Sequence, residues 1–78
     1  MPVRSRLKIV LSEFNTARVR EGQEPLTVRA LAAEIKLSPS VITGLTSGRA
    51  SRVDFETLSK LCDRLQCTPG DILIYTPE

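Results

Sequence analysis

Leu31-Ala32-Ala33-Glu34-Ile35-Lys36-Leu37-Ser38-Pro39-Ser40-Val41-Ile42-Thr43-Gly44-Leu45-Thr46-Ser47-Gly48-Arg49 reads as a short helix, a tight turn and a second short helix. The second helix, 39–47, has a clear start. The Ser38 hydroxyl is placed to cap it, and Pro39 suits a first helical position, where no N–H is needed. Gly48 supplies its stop. At about 100° per residue, Val41, Ile42 and Leu45 fall on one stripe, while Pro39, Ser40, Thr43, Gly44 and Ser47 lie opposite. One face is core and the other is small and polar.

Working outward, Thr27 is placed to cap the helix before the turn, in which Val28, Leu31, Ala32 and Ile35 share a face. Small Ala32 suits a position where two helices cross closely. Val3, Leu7, Val10, Leu11, Phe14 and Ala17 keep helical spacing, so residues 3 to about 20 read as a first helix with Arg4, Arg6 and Lys8 on its outer face. Glu21-Gly22-Gln23-Glu24-Pro25 breaks the periodicity and reads as a loop. Beyond Gly48, Arg49-Ala50-Ser51-Arg52-Val53 is a short basic loop before Asp54, a cap for a fourth helix whose buried stripe is Phe55, Leu58, Leu61, Cys62 and Leu65. Thr68-Pro69-Gly70-Asp71 opens a fifth, close to a capping box. Ile72-Leu73-Ile74-Tyr75 follows, and four large apolar residues in succession cannot all face one core. Either a second subunit covers part of them, or they form a strand or turn lying across the domain.

This pattern resembles the Cro/cI-type (XRE-like) helix-turn-helix family. Leu31-Ala32, Ile42, Leu45 and Gly48 stand where that family keeps its packing and turn residues, and the likeness runs through 54–62 and 67–73. It implies an all-α, five-helix, lambda-repressor-like domain over residues 1–78 that binds DNA as a transcriptional regulator, a repressor in the first instance, with helix 39–47 in the major groove. Pro39, Ser40, Thr43 and Gly44 then face the bases, and Thr27, Arg29, Ser38, Ser47, Arg49 and Arg52 are the candidates for the DNA backbone. A homodimer is expected, with Ile72, Ile74 and Tyr75 as its contact. The chain departs from the family at Lys36, where glycine is usual, so Lys36 has to adopt a positive φ at a cost of about 1 kcal/mol. It departs again at Thr46, where many members carry a glutamate that pairs with a basic residue of the first helix.

Composition agrees. Seventy-eight residues make one domain, and with aromatic content at 4% and no Trp the core is built from Leu, Ile, Val and Ala. The net charge of +2 is unevenly spread, with nine Lys/Arg against four Asp/Glu in residues 1–52 and two against five in residues 53–78. The basic part holds the helix-turn-helix, an arrangement that directs one face at phosphates. No histidine and only two cysteines leave no tetrahedral metal set, and Cys62 reads as a buried reduced thiol. No nucleophile with a base, acid–base pair or phosphate-cradling glycine loop is present, so neither an enzyme nor a cofactor is expected. No signal peptide or membrane-spanning run is visible, and the expected location is the cytosol. The reading helix lacks Arg, Gln and Asn, the bidentate base readers. That shortage keeps open a second class, a helix-turn-helix used as a protein-interaction module such as an antitoxin-like or co-regulator subunit.

Overall fold

The computed structural model describes residues 2–77. A strand, β1 (Val3–Ser5), leads into α1 (Leu7–Arg20); α2 (Val28–Ile35), α3 (Pro39–Thr46), α4 (Phe55–Leu65) and the one-turn α5 (Pro69–Ile72) follow, and the chain ends in β2 (Leu73–Tyr75). The five expected helices are all there, with a two-stranded ribbon added. β1 and β2 are antiparallel with Val3 opposite Tyr75, Arg4 opposite Ile74 and Ser5 opposite Leu73. The Arg6 N–H donates to the Ile72 carbonyl at 2.5 Å and the Thr76 N–H to the Pro2 carbonyl at 2.8 Å, which extends the ladder at both ends.

The ribbon corrects the first helix, which starts at Leu7 rather than residue 3. The backbone of residues 3–5 is taken by the C-terminal strand, and Val3 and Ile74, β-branched, fit a strand better than a helix end. Val3 is therefore 51% exposed rather than core, and Ala17 also lies on the outside.

Leu7, Leu11, Leu26, Leu31, Ala32, Ile42, Leu45, Leu58, Leu61, Leu65 and Ile72 make one cluster, with Val10, Phe14, Val28 and Ile35 packed against it. Leu26, from the loop, joins because Asn15 on α1 holds its backbone from both sides: the Asn15 side-chain N–H donates to the Leu26 carbonyl at 3.0 Å, and the Leu26 N–H donates to Asn15 Oδ1 at 2.6 Å. Two guanidinium groups lie over the Phe14 ring, Arg64 5.3 Å and Arg18 5.7 Å from its centroid. Arg64 also donates to Glu34 at 2.6 Å, so one side chain ties α4 to α1 and α2.

Two helix ends use the same device. Lys36 and Gln66 are left-handed (φ 58° and 54°), and the next residue's N–H reaches back five residues, Leu37 to the Ala32 carbonyl at 2.9 Å and Cys67 to the Cys62 carbonyl at 3.1 Å. These are the bonds of the Schellman motif, which satisfies carbonyls that a helix end leaves unpaired. Its two outer positions meet through their side chains, which brings Cys62 and Cys67 together as half-buried free thiols. Burial, and the Cys62 sulfur beside it, push the Cys67 thiol up to about 11.

Two corrections fall on α4 and α5. Phe55, expected on the buried stripe, is 87% exposed. It is the first residue of α4, and helical side chains lean toward the N-terminus, so it leans off the end of the helix with no neighbouring turn to cover it. Ile72, expected at a dimer contact, is fully buried. It closes α5 facing the core, while Ile74 and Tyr75 beyond it are exposed.

Candidate nucleic-acid interface

The helix-turn-helix is assembled from local bonds. Thr27 caps α2 as expected, its hydroxyl accepting the Ala30 N–H at 3.1 Å. Lys36 takes the positive φ that the turn requires, and Ser38 (φ −73°, ψ 141°) delivers the chain extended to Pro39. Ser38 does not cap α3 through its hydroxyl. Its Oγ lies 2.6 Å from Ser40 Oγ, and the pair sits at the exposed start of the helix.

Ile42 and Leu45 are buried, which fixes how α3 rolls on the core. Pro39, Ser40, Thr43 and Ser47 are consequently exposed. Gly44 is half-buried and turned toward the following loop; a methyl group there would meet the Ala50 Cβ at 3.7 Å, an ordinary contact. Val41, expected on the inner stripe, sits at its margin and is 40% exposed.

The loop after α3 folds back on it. Gly48 turns the chain at φ 77°, and the Arg49 and Ala50 N–H groups both donate to the Gly44 carbonyl at 3.0 Å. Between loop and helix lies an open hollow of about 530 Å³, where Ser40 and Gly44 meet Arg49 and Arg52 over Val41, Leu45, Ala50 and Val53. Arg29, on α2, and Thr27 are exposed as well. Among the described residues the ion pairs are Glu56–Lys60 and Glu34–Arg64, so Arg29, Arg49 and Arg52 are engaged in none. Ser47 faces the other way, into a groove shared with Lys8, Ser12 and Asn15 of α1. Lys8 was only a charge on an outer helical face in the sequence; the fold sets it beside the end of α3. Sequence periodicity could not supply that, since it depends on how α1 crosses α3.

An exposed helix presenting small polar side chains, held by a turn of this geometry and bordered by uncommitted arginines, is what the major groove and its phosphates accept. The model of the Cro/C1-type HTH DNA-binding domain matches residues 22–78. This chain belongs to that family. The match covers α2 through β2 and leaves β1 and α1 outside it. The chain is similar to an uncharacterized HTH-type transcriptional regulator, YozG, of Bacillus subtilis strain 168, at 32% identity over 57 residues, which is 73% of this chain and 68% of YozG. The fold is also that of a crystal structure of a Bacteroides fragilis protein proposed to bind DNA, with TM-score 0.67 at 22% identity, covering 91% of this chain and 97% of the other. That likeness includes α1, so the first helix is part of the shared fold. Membership of the family makes the chain a DNA-binding regulator in type, and its mostly helical architecture with a central helix-turn-helix agrees.

Proposed function

We propose that this chain is a sequence-specific transcriptional repressor of the cytosol, which sets α3 into the major groove and binds its operator as a homodimer. The observation that carries the reading is the uncommitted outer face of α3, with Arg49 and Arg52 on one flank and Arg29 on α2. Ser40 and Thr43 are the base readers, through hydroxyls that donate or accept and through the Thr43 methyl, which fits a thymine methyl. Pro39 stands at the exposed start of the reading face, and Gly44, turned toward the following loop, leaves room for Ala50 beside the helix. Arg29, Arg49 and Arg52, with the hydroxyls of Thr27, Ser38 and Ser47, serve the phosphates. Phosphates and DNA shape then supply most of the affinity, and base contacts a modest discrimination. On this reading the activity is binding, and no catalytic role is assigned to any residue.

A second reading, the protein-interaction module, is favoured by one observation, the 87% exposed Phe55 at the start of α4. Gel shifts of the purified chain against its own promoter region separate the two. A retarded complex that a tenfold excess of random duplex does not remove supports the operator-binding reading. No complex at low salt overturns it and leaves the interaction module.

A further inference from the structure

We propose that the hollow between α3 and the loop after it binds a small effector, a carboxylate with an apolar tail, whose occupancy competes with DNA. The inference rests on the DNA-binding reading above and names how that face is regulated.

The hollow is chemically divided. Val41, Leu45, Ala50 and Val53 make its floor, and the guanidinium groups of Arg49 and Arg52 stand at its rim. The Asp54 carboxylate also borders it, but it is committed to capping α4, where it accepts the Thr57 N–H at 2.9 Å. Neither arginine belongs to an ion pair among the described residues, so the uncommitted charge around the hollow is positive. Its volume of about 530 Å³ falls within the roughly 300–1,000 Å³ of small-molecule sites, which are mostly apolar with a few polar or charged groups that fix orientation.

DNA accounts for only part of this surface. Phosphates call for the two guanidinium groups, whereas a duplex backbone is a run of charges and sugars with no apolar side group to lay on the floor. The thymine methyl, the apolar group of the major groove, is met by Thr43 on the outer face of α3. Val41 is nevertheless 40% exposed, and Ala50 and Val53 are only half-buried. A concave apolar wall beside two cations is matched by a ligand that brings both parts. Its carboxylate accepts the paired N–H groups of a guanidinium, and its hydrocarbon tail covers the floor.

The walls are held apart before any ligand arrives. The Arg49 and Ala50 N–H groups both donate to the Gly44 carbonyl at 3.0 Å, which sets the spacing of the loop from the helix. A preformed hollow spares the ligand the cost of ordering the loop. Competition follows from sharing: a carboxylate on Arg49 and Arg52 takes the charges that the phosphates need, and the tail lies beside Ser40 at the start of the reading face. Such a ligand weakens DNA binding by a factor of one plus its concentration over its Kd.

Octanoate is the probe, with acetate as the head alone and 1-octanol as the tail alone. In proton–nitrogen NMR spectra of the full chain without DNA, octanoate should shift amides of residues 40–57 and saturate with a Kd of roughly 1 mM, as about ten non-hydrogen atoms allow. Acetate and 1-octanol should bind there about fivefold more weakly or worse. Val53→Ser, which keeps both arginines, should weaken octanoate by about threefold or more, and the double change Arg49→Ala, Arg52→Ala should bring it to the level of 1-octanol. In anisotropy titrations at constant ionic strength, about 10 mM octanoate should raise the Kd of wild type for random duplex roughly tenfold, and the same acetate less than about twofold. No saturable shift of these amides by octanoate overturns the inference whatever the duplex does, and amides that shift with protein concentration instead assign the hollow to a second copy. Equal binding of octanoate and 1-octanol, or shifts spread over the whole chain, overturns it as well. Octanoate in the hollow with duplex affinity unmoved overturns the competition and leaves the DNA-binding reading standing. Octanoate in the hollow with no duplex bound at low salt overturns the DNA-binding reading, and the competition with it, and keeps the small-ligand site.

Discussion

Lys36→Gly isolates the strain that the central turn carries. Lys36 sits at φ 58° with its backbone committed on both sides, α2 ending before it and the Leu37 N–H bonded to the Ala32 carbonyl behind it. A side chain in the left-handed region brings its Cβ close to the following carbonyl oxygen, at about 1–2 kcal/mol, a cost glycine does not have. Against this, glycine is freer in the unfolded chain, which costs about 0.4–1 kcal/mol. Lys36 is exposed and forms no ion pair among the described residues, so little else is lost. The balance is a stabilisation of about 0.5–1 kcal/mol. For a domain of this size that raises the melting temperature by roughly 2–8 °C. Thermal unfolding followed by circular dichroism at neutral pH, with Lys36→Ala as the control that keeps a Cβ, is the assay. A Lys36→Gly melting temperature at or below that of wild type would refute the assigned conformation and its cost.

Three further outcomes follow from packing and capping. Leu45→Ala should destabilise by about 2–5 kcal/mol in urea unfolding, because Leu45 is buried where α3 meets the core. Phe55→Ser should leave stability within about 0.5 kcal/mol in the same assay, since its ring touches so little; a large loss would mean the ring is packed. The Thr57 side chain and then its N–H, 2.9 Å from the carboxylate, hold Asp54 below its ordinary 3.8, and the Thr68 N–H, 2.8 Å away, and then the Thr68 hydroxyl do the same for Asp71. A carboxyl lowered on folding stabilises the protein above its unfolded value and loses that contribution as pH falls through the folded one, so melting temperature should decline from about pH 4 downward. Asp54→Asn, which keeps a capping oxygen, should make that decline shallower. An unchanged acid slope would remove Asp54 from the account.

The helices were legible because each carries its own punctuation. Thr27, Asp54 and the Thr68–Asp71 pair open α2, α4 and α5 as read, Gly48 closes α3, and even the strained Lys36 was legible as a position that must turn left-handed. The stripes of Leu31, Ile42, Leu45, Leu58, Leu61 and Leu65 found the core for the same reason, that helical periodicity is a local property. What was not legible depends on partners distant in sequence. Val3 reads as helix until residues 73–75 compete for its backbone. Leu26 looks like loop until Asn15, eleven residues earlier, holds it. Phe55 keeps the spacing of a buried stripe but stands at the helix end, where periodicity continues and the core does not. At the interface, the polar face of α3 was readable residue by residue, whereas the meeting of Arg49 and Arg52 with Ser40 and Gly44 around one hollow depends on the loop folding back through the Gly44 carbonyl. The Ser38 hydroxyl, read as a cap, is diverted to Ser40 by a contact that no propensity contains.

The central claim, that arginines beside α3 hold phosphates while α3 reads bases, is tested most directly by fluorescence-anisotropy titrations of wild type, Arg49→Ala and Thr43→Ala. Each is run on operator and random duplex across several salt concentrations. Arg49→Ala should weaken both duplexes by similar factors and make the salt slope shallower by about one unit, one fewer counterion being released. Thr43→Ala should cost about 1 kcal/mol or less on the operator and leave random DNA nearly unchanged. A selective loss of operator binding by Arg49→Ala, with the salt slope unmoved, would contradict the account.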